Sequence, residues 1–157
     1  MISRCTLICV GKPKGWSAEA SEDYAKRLRR FFRLDILEVP EEDINRRSRG
    51  EVLSAEAERI LKRLPNEAYV IVLDGEGGKQ HPSEKLASKL EDLGLSGRSH
   101  VAFVIGGPLG LSLEVLKRSH DKWSFGPITL PHALARIVLL EQLYRAAKIL
   151  RGEKYHW

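Results

Sequence analysis

The chain has 157 residues, of which 43% are hydrophobic and 30% are charged. These proportions are typical of one soluble globular domain, here residues 1–157, and they exclude a disordered tail. The longest apolar stretch, residues 133–150, contains four charged side chains, which excludes a membrane span. The first residues lack the pattern of a signal peptide, so we expect a cytoplasmic protein without a membrane partner.

The formal net charge of +5 favours a polyanionic partner such as RNA. Basic residues are concentrated in three segments, at 26–33, 46–49 and 145–154. Solvated helix faces explain any one of these clusters equally well, so charge alone does not identify the partner.

Taken in chain order, apolar runs rich in β-branched residues alternate with segments of helical periodicity. The runs predict strands, at 2–10, 34–39, 69–73, 100–105 and 123–125. The periodic segments predict helices, at 17–32, 49–64, 82–93 and 132–151, with a short helix after Ser112. We find no internal repeat or flexible linker between them, which again indicates one domain.

Several helix ends carry recognisable signals. Ser17 is the predicted N-cap of the first helix, and Ser48 with Glu51 has the spacing of a capping box that opens the second. Gly94 and Gly152 stand where the third and the last helix are predicted to stop. These signals fix the boundaries that the periodicity leaves open.

The alternation of strands and helices predicts an α/β fold with a parallel sheet covered by helices on both faces. Right-handed crossovers place the carboxyl ends of all its strands at one edge, where ligands of such sheets bind. Three predicted strand ends open into glycine, at Gly75, Gly106 and Gly126. One site could be built from all three.

The familiar catalytic sequence motifs are not found in the chain. There is no phosphate-binding P-loop, no dinucleotide fingerprint and no nucleophile elbow. The five histidines show no metal-ligand spacing, so we expect no metal. Cys5 and Cys9 lie about 13 Å apart by strand rise, too far for a disulfide.

What remains is glycine and proline at two strand ends, in the segments 106–110 and 126–131. Gly106 and Gly107 let main-chain groups approach a ligand closely, while Pro108, Pro127 and Pro131 stiffen the loops. A wall of carbonyls with a few amides suits an adenine better than a phosphate, which needs many N–H donors. The alternative is that these segments are only tight turns of an α/β protein.

A family resemblance is carried by segments spread over nearly the whole chain, namely Val10-Gly11-Lys12, Val104-Ile105-Gly106-Gly107-Pro108-Leu109-Gly110, Leu130-Pro131-His132, Glu141-Gln142-Leu143-Tyr144-Arg145-Ala146 and Arg151-Gly152-Glu153-Lys154-Tyr155-His156. In this order they resemble the SPOUT methyltransferases, whose C-terminal trefoil knot binds S-adenosylmethionine. The chain is most similar to the subfamily that methylates N3 of a pseudouridine in the helix 69 hairpin of large-subunit (23S) ribosomal RNA.

The resemblance implies which residues cradle the S-adenosylmethionine cofactor, namely Leu73, Gly106, Gly126, Pro127, Ile128, Thr129, Leu130 and Pro131. It also implies a homodimer in which the partner chain completes the site, and ribosomal RNA or the ribosome as partner. The family tail commonly ends in a basic residue, where this chain has Trp157.

The catalytic candidates lie on the last helix and the tail. His156 is the first candidate near the target base, because an imidazole titrates near neutral pH. Tyr155 could stack on the base or hydrogen-bond to it. Arg136 and Arg145 could carry charge for an RNA phosphate or the transition state, although pairing of Arg145 with Glu141 is an alternative.

Three rival functions remain open on the sequence. One is a related methyltransferase that acts on transfer RNA. Another is a non-enzymatic RNA-binding factor that keeps the fold, and the third is a small nucleotide-binding regulator. Cofactor binding and the identity of the methylated RNA discriminate among them.

Overall fold

A computed structural model describes residues 1–155. Its strands are β1 (Arg4–Val10), β2 (Arg33–Val39), β3 (Tyr69–Leu73), β4 (Lys79–Gln80), β5 (His100–Ile105) and β6 (Asp121–Ser124). Its helices are α1 (Trp16–Leu28), α2 (Arg49–Arg63), α3 (Ser83–Leu95), α4 (Leu113–Arg118) and α5 (His132–Leu150). The six strands form one sheet in the order β2-β1-β5-β3-β6-β4, and every pairing is parallel.

The predicted α/β architecture is therefore confirmed. Alternate residues of β1 enter two separate cores: Cys5, Leu7 and Cys9 face one side of the sheet, and Ile8 and Val10 face the other. Helices α1, α3 and α5 cover the first side, and α2 and α4 cover the second. The central strands β3 and β5 are buried on both faces, which explains why their sequences are continuously apolar.

Predicted boundaries are confirmed where the signal is local. The bounds of β3 and β5 are those predicted, and α2 begins after Ser48. The Ser48 hydroxyl accepts a hydrogen bond from the Glu51 amide at 3.2 Å, and the Glu51 carboxylate accepts one from the Ser48 amide at 3.4 Å. The predicted capping box is thus present. Ser112 likewise caps α4 by accepting from the Val115 amide at 3.3 Å.

Three helix-end predictions are wrong, and a strand was missed. Helix α1 ends at Leu28, four residues before its predicted end. Ser17 is not a cap: α1 begins one residue earlier, after Gly15, and Ser17 is buried. Gly94 lies inside α3 and does not end it. Glycine is needed there because a Cβ would come within 2.5 Å of the Met1 carbonyl oxygen. The strand β4 has only two residues, too few for a periodic signal.

Cys5 and Cys9 are both free and buried, as predicted. Burial raises the pKa of the Cys9 thiol to about 12, so the thiol remains protonated at neutral pH. No helix within residues 1–155 is long and apolar enough to cross a bilayer. The C-terminal knot that the resemblance implies stays a prediction.

Candidate functional site

A cleft of about 590 Å³ opens at the carboxyl edge of the sheet, where β3, β5 and β6 end. Because parallel strands place these ends side by side, the three glycine-bearing segments meet there as predicted. The residues that line the cleft are Leu73, Asp74, Gly75, Ile105, Gly106, Gly107, Pro108, Gly110, Trp123, Ser124, Phe125, Gly126, Ile128, Thr129, Leu130, Pro131, His132 and Ala135. The volume is within the range of small-molecule sites.

The residues predicted to hold a cofactor all line this cleft except one. Pro127 belongs to the same loop as Gly126 but does not form part of the lining. The structure thus brings the predicted set together in one place. Their role as cofactor ligands stays a prediction.

The first wall of the cleft is the segment 106–110, called here the Gly106 loop. It turns back on itself, with the Gly110 amide donating to the Gly107 carbonyl at 3.0 Å and Gly110 at a φ of 84°. A Cβ on Gly106 would lie 2.5 Å from the Gly110 carbonyl oxygen. Glycine is therefore required at position 106 for the loop to close.

The second wall is the segment 126–131, called the Gly126 loop. Gly126 has a φ of 111°, and its amide donates to the Ser124 hydroxyl at 3.2 Å. Ser124 is buried at the end of β6 and fixes the start of the loop. Sequence reasoning missed Ser124, and only its place beside Gly126 could have indicated it. Ile128 and Thr129 further along remain exposed, so a ligand in the cleft could cover them.

Asp74 is another lining residue that was not in the predicted set. It follows β3 directly, and its amide donates to the Trp123 carbonyl at 2.8 Å, which ties the end of β3 to β6. Its carboxylate accepts from the Glu76 amide at 3.2 Å. Among the described lining residues, Asp74 supplies the acidic side chain and His132 the imidazole.

Arg136 is one turn further along α5 than His132, but it is not part of the cleft lining. The residue is only 5% exposed, and its guanidinium donates to the Gly11 carbonyl and to the Glu38 carboxylate, each at 3.2 Å. This pair fastens the end of β1 to β2 and α5. A contact of Arg136 with an RNA phosphate stays a prediction that requires the guanidinium to leave this pair.

Replacing Arg136 by methionine should lower the free energy of unfolding by about 3–5 kcal/mol, because the Glu38 carboxylate then loses its buried partner. Urea denaturation measures this. The double replacement Arg136→Met with Glu38→Leu is the matched control and should recover much of the loss. Equal stability of the single variant and the wild type would show that the pair does not hold the end of β1.

Tyr155 lies against the far half of α5 and not in the cleft of its own chain. Its hydroxyl donates to the Glu141 carboxylate at 3.2 Å, and its ring meets that of Tyr144 edge to face at 4.9 Å. Arg145 stacks over the ring and also pairs with Glu141 at 2.7 Å, the intrahelical alternative named above. Burial and the nearby Glu141 raise the pKa of Tyr155 to about 12. His156 and Trp157 lie outside the described residues.

A buried carboxyl group lies behind the Gly106 loop. Glu56 of α2 is 2% exposed; its Oε2 accepts from the Glu42 amide at 3.0 Å, while its Oε1 has no hydrogen-bond partner among residues 1–155. A Cβ on Gly107 would lie 3.3 Å from that oxygen. Burial raises the pKa of Glu56 above its ordinary value of 4.5.

Because the folded protein binds the Glu56 proton more tightly than the unfolded chain does, the free energy of unfolding should fall as pH rises from 4.5 through the raised pKa. Replacing Glu56 by glutamine removes this dependence. We expect the stability of the variant relative to the wild type to increase as pH rises from 4 to 8. Urea denaturation of both proteins at several pH values measures this difference. A difference between the two proteins that does not change with pH would contradict the assignment.

Comparison with known proteins agrees with this geometry. The family model described as "Predicted SPOUT methyltransferase" matches residues 3–156. A relative from Rubrobacter xylanophilus, named ribosomal RNA large subunit methyltransferase H, is 61% identical over 158 residues, and the match covers 100% of both chains.

Solved structures share the fold at lower identity. A protein from Bordetella pertussis, described as a probable methyltransferase, superposes with a TM-score of 0.56 at 18% identity, covering 92% of this chain and 95% of that one. A protein from Legionella pneumophila, described as a methyltransferase in complex with its cofactor SAM, superposes with a TM-score of 0.52 at 17% identity. That match covers 92% of this chain and 66% of the other.

Proposed function

Because the chain belongs to the SPOUT methyltransferase family, we propose that it transfers a methyl group from S-adenosylmethionine to N3 of a pseudouridine in the helix 69 hairpin of large-subunit (23S) ribosomal RNA. The substrate class is the one named for the Rubrobacter relative, which matches this chain from end to end. We place this reaction in the cytoplasm, where ribosomes are assembled.

The observation that carries the proposal is the cleft between the Gly106 and Gly126 loops. Its walls combine apolar side chains, such as Leu73 and Phe125, with main-chain groups exposed by glycine. This composition suits a neutral adenine edge, and the cleft volume of about 590 Å³ is sufficient for a nucleoside cofactor. The fold accommodates that cofactor, since the Legionella protein holds it.

S-adenosylmethionine supplies a methyl group already activated on a sulfonium, so the chain needs to supply position rather than a covalent nucleophile. We assign cofactor binding to Leu73, Gly106 and the Gly126 loop, which includes Pro127. The apolar side chains of Leu73 and Phe125 would limit the access of water to the part of the cleft that they line. Residues 1–155 contain no group of three or more His, Cys, Asp or Glu side chains that could hold a metal ion.

The proton on the target nitrogen must leave before that nitrogen attacks. We assign this step to His156, because an imidazole accepts a proton near neutral pH. Because burial raises the pKa of Tyr155 to about 12, we assign the phenol no proton-accepting role at neutral pH. As a neutral phenol it donates a hydrogen bond or stacks on the target base.

The site is proposed to be shared between two copies of the chain. Tyr155 contacts Glu141 and Tyr144, which lie about 14–18 Å along α5 from His132 at the cleft. We therefore propose that the tail of one protomer completes the cleft of its partner. Leu134, Ile137 and Val138 form a partly exposed apolar stripe on α5 that a second copy could cover.

Incubation with methyl-labelled S-adenosylmethionine tests the proposal against its rivals. We expect label in ribosomal RNA, whereas label confined to transfer RNA would favour the related tRNA methyltransferase. Calorimetry with unlabelled S-adenosylmethionine completes the test. An absence of cofactor binding would favour a non-enzymatic RNA-binding factor, and binding without transfer to any RNA would favour a nucleotide-binding regulator.

A further inference from the structure

Large apolar side chains are exposed mainly at the edge of the sheet that carries the cleft. They lie after the carboxyl ends of β1, β2, β5 and β6, at Trp16, Ile44, Leu113 and Ile128. Leu95, at the end of α3, is the exposed large apolar residue at the opposite edge. Of the five large apolar side chains exposed within residues 1–155, four therefore lie on the cleft side of the sheet.

Trp16 is the largest of these side chains and is 67% exposed. It is the first residue of α1, and its position is fixed from both sides. Gly15 before it has a φ of 56°, and the Ser17 hydroxyl after it donates to the Lys14 carbonyl at 2.8 Å and accepts from the Lys14 amide at 3.2 Å. Within residues 1–155 no aromatic ring or cation stacks on the indole. The loop thus presents a rigid, open aromatic face.

Two lysines lie close to this tryptophan in the sequence. Lys12 and Lys14 are exposed, and neither forms an ion pair with any described residue. By contrast, Lys62 at the other edge pairs with Glu58 at 3.3 Å. Unpaired lysines beside an exposed tryptophan suit a polyanion with stackable bases, whereas lysine is depleted at contacts between proteins.

The loop also lies next to the cleft. A Cβ on Gly11 would lie 3.3 Å from Nε2 of His132, which lines the cleft. From Gly11 to Trp16 there are five residues, which span at most about 18 Å. Trp16 is therefore close enough to the cleft for one RNA hairpin to contact both.

We propose that Lys12, Lys14 and Trp16 form a docking site for an unpaired nucleotide of the substrate RNA, with the base stacked on the indole and the phosphates held by the two lysines. This inference rests on the proposed function for the identity of the RNA. It adds a contact outside the cofactor cleft that positions the RNA relative to it.

Binding of a fluorescently labelled helix 69 hairpin RNA, followed by anisotropy, tests the role of Trp16. Replacing Trp16 by alanine should weaken binding about tenfold, and Trp16→Phe should restore most of the loss because a phenyl ring still stacks. Leu95→Ala is the control at the opposite edge and should bind like the wild type. Affinity for S-adenosylmethionine should be unchanged in all three variants.

The lysines are tested by the salt dependence of the same binding. The double variant Lys12→Gln with Lys14→Gln should flatten the slope of log affinity against log salt by about 1.4, since each contact with a single-strand phosphate contributes about 0.7. Lys62→Gln with Arg63→Gln removes the same charge at the opposite edge and should change the slope much less.

Unchanged RNA affinity of the Trp16→Ala variant would overturn the proposal. Dissociation of the Trp16→Ala dimer in light scattering would overturn it too, because the indole would then be a subunit contact. The two proposals can also fail separately. If the Trp16→Ala variant loses RNA binding while the wild type transfers no methyl group, the docking site is supported and the proposed function is refuted.

Discussion

Replacing Gly106 by alanine should reduce the affinity for S-adenosylmethionine by about a hundredfold, in line with the cost of overfilling a closely packed site. The added Cβ would lie 2.5 Å from the Gly110 carbonyl oxygen and 2.9 Å from a methyl carbon of Leu111. The Gly110 backbone cannot move away from this Cβ without opening the Gly106 loop. Isothermal titration calorimetry measures the effect.

Gly50→Ala is the matched control for this prediction. Gly50 lies in the first turn of α2, and a Cβ there meets no atom within 4 Å, so cofactor affinity should be unchanged. Thermal unfolding shows whether the Gly106→Ala variant still folds.

Ile128→Ala changes an exposed residue of the cleft without disturbing the fold, and it should weaken cofactor binding about tenfold. Wild-type affinity in both cleft variants would place the cofactor elsewhere.

Two inactive variants should restore activity when they are joined in one dimer. His156→Ala should lower turnover about a hundredfold or more without loss of cofactor affinity, because the proposed base is missing. Gly106→Ala should be nearly inactive when S-adenosylmethionine is supplied well below the weakened Kd of this variant, because its cleft is then mostly empty. In a heterodimer of the two, one site combines an intact cleft with an intact tail, so we expect about half of the wild-type rate.

The heterodimer is obtained by co-expression with two different tags and purified on both. Each homodimer carried through the same purification is the control. A heterodimer as inactive as the two homodimers would show that each chain completes its own site. A protein that is monomeric at micromolar concentration in light scattering would contradict the shared site as well.

The parts of the fold that the sequence predicted well are those governed by local patterns. Continuous apolar runs defined β3 and β5, and the Ser48 capping box defined the start of α2. The prediction that Gly94 ends the third helix was wrong, because the need for glycine there comes from Met1, which lies 93 positions earlier in the chain. Long-range contacts of this kind leave no trace in local periodicity.

The same distinction applies to the candidate site. Glycine and proline at strand ends indicated both loops of the cleft, because the topology of a parallel sheet brings strand ends together. The burial of Arg136 against Glu38 and the position of Tyr155 on Glu141 were not predictable, since both depend on how α5 packs. Asp74 was overlooked because an acidic residue after a strand has no distinctive sequence signature.

The most direct test uses two preparations of ribosomes, one with and one without the pseudouridines of the helix 69 hairpin. Each is incubated with the protein and methyl-labelled S-adenosylmethionine, and the RNA is digested to nucleosides. We predict that label appears only in the first preparation and only as N3-methylpseudouridine. Equal labelling of both preparations, or label in any other nucleoside, would contradict the proposed reaction.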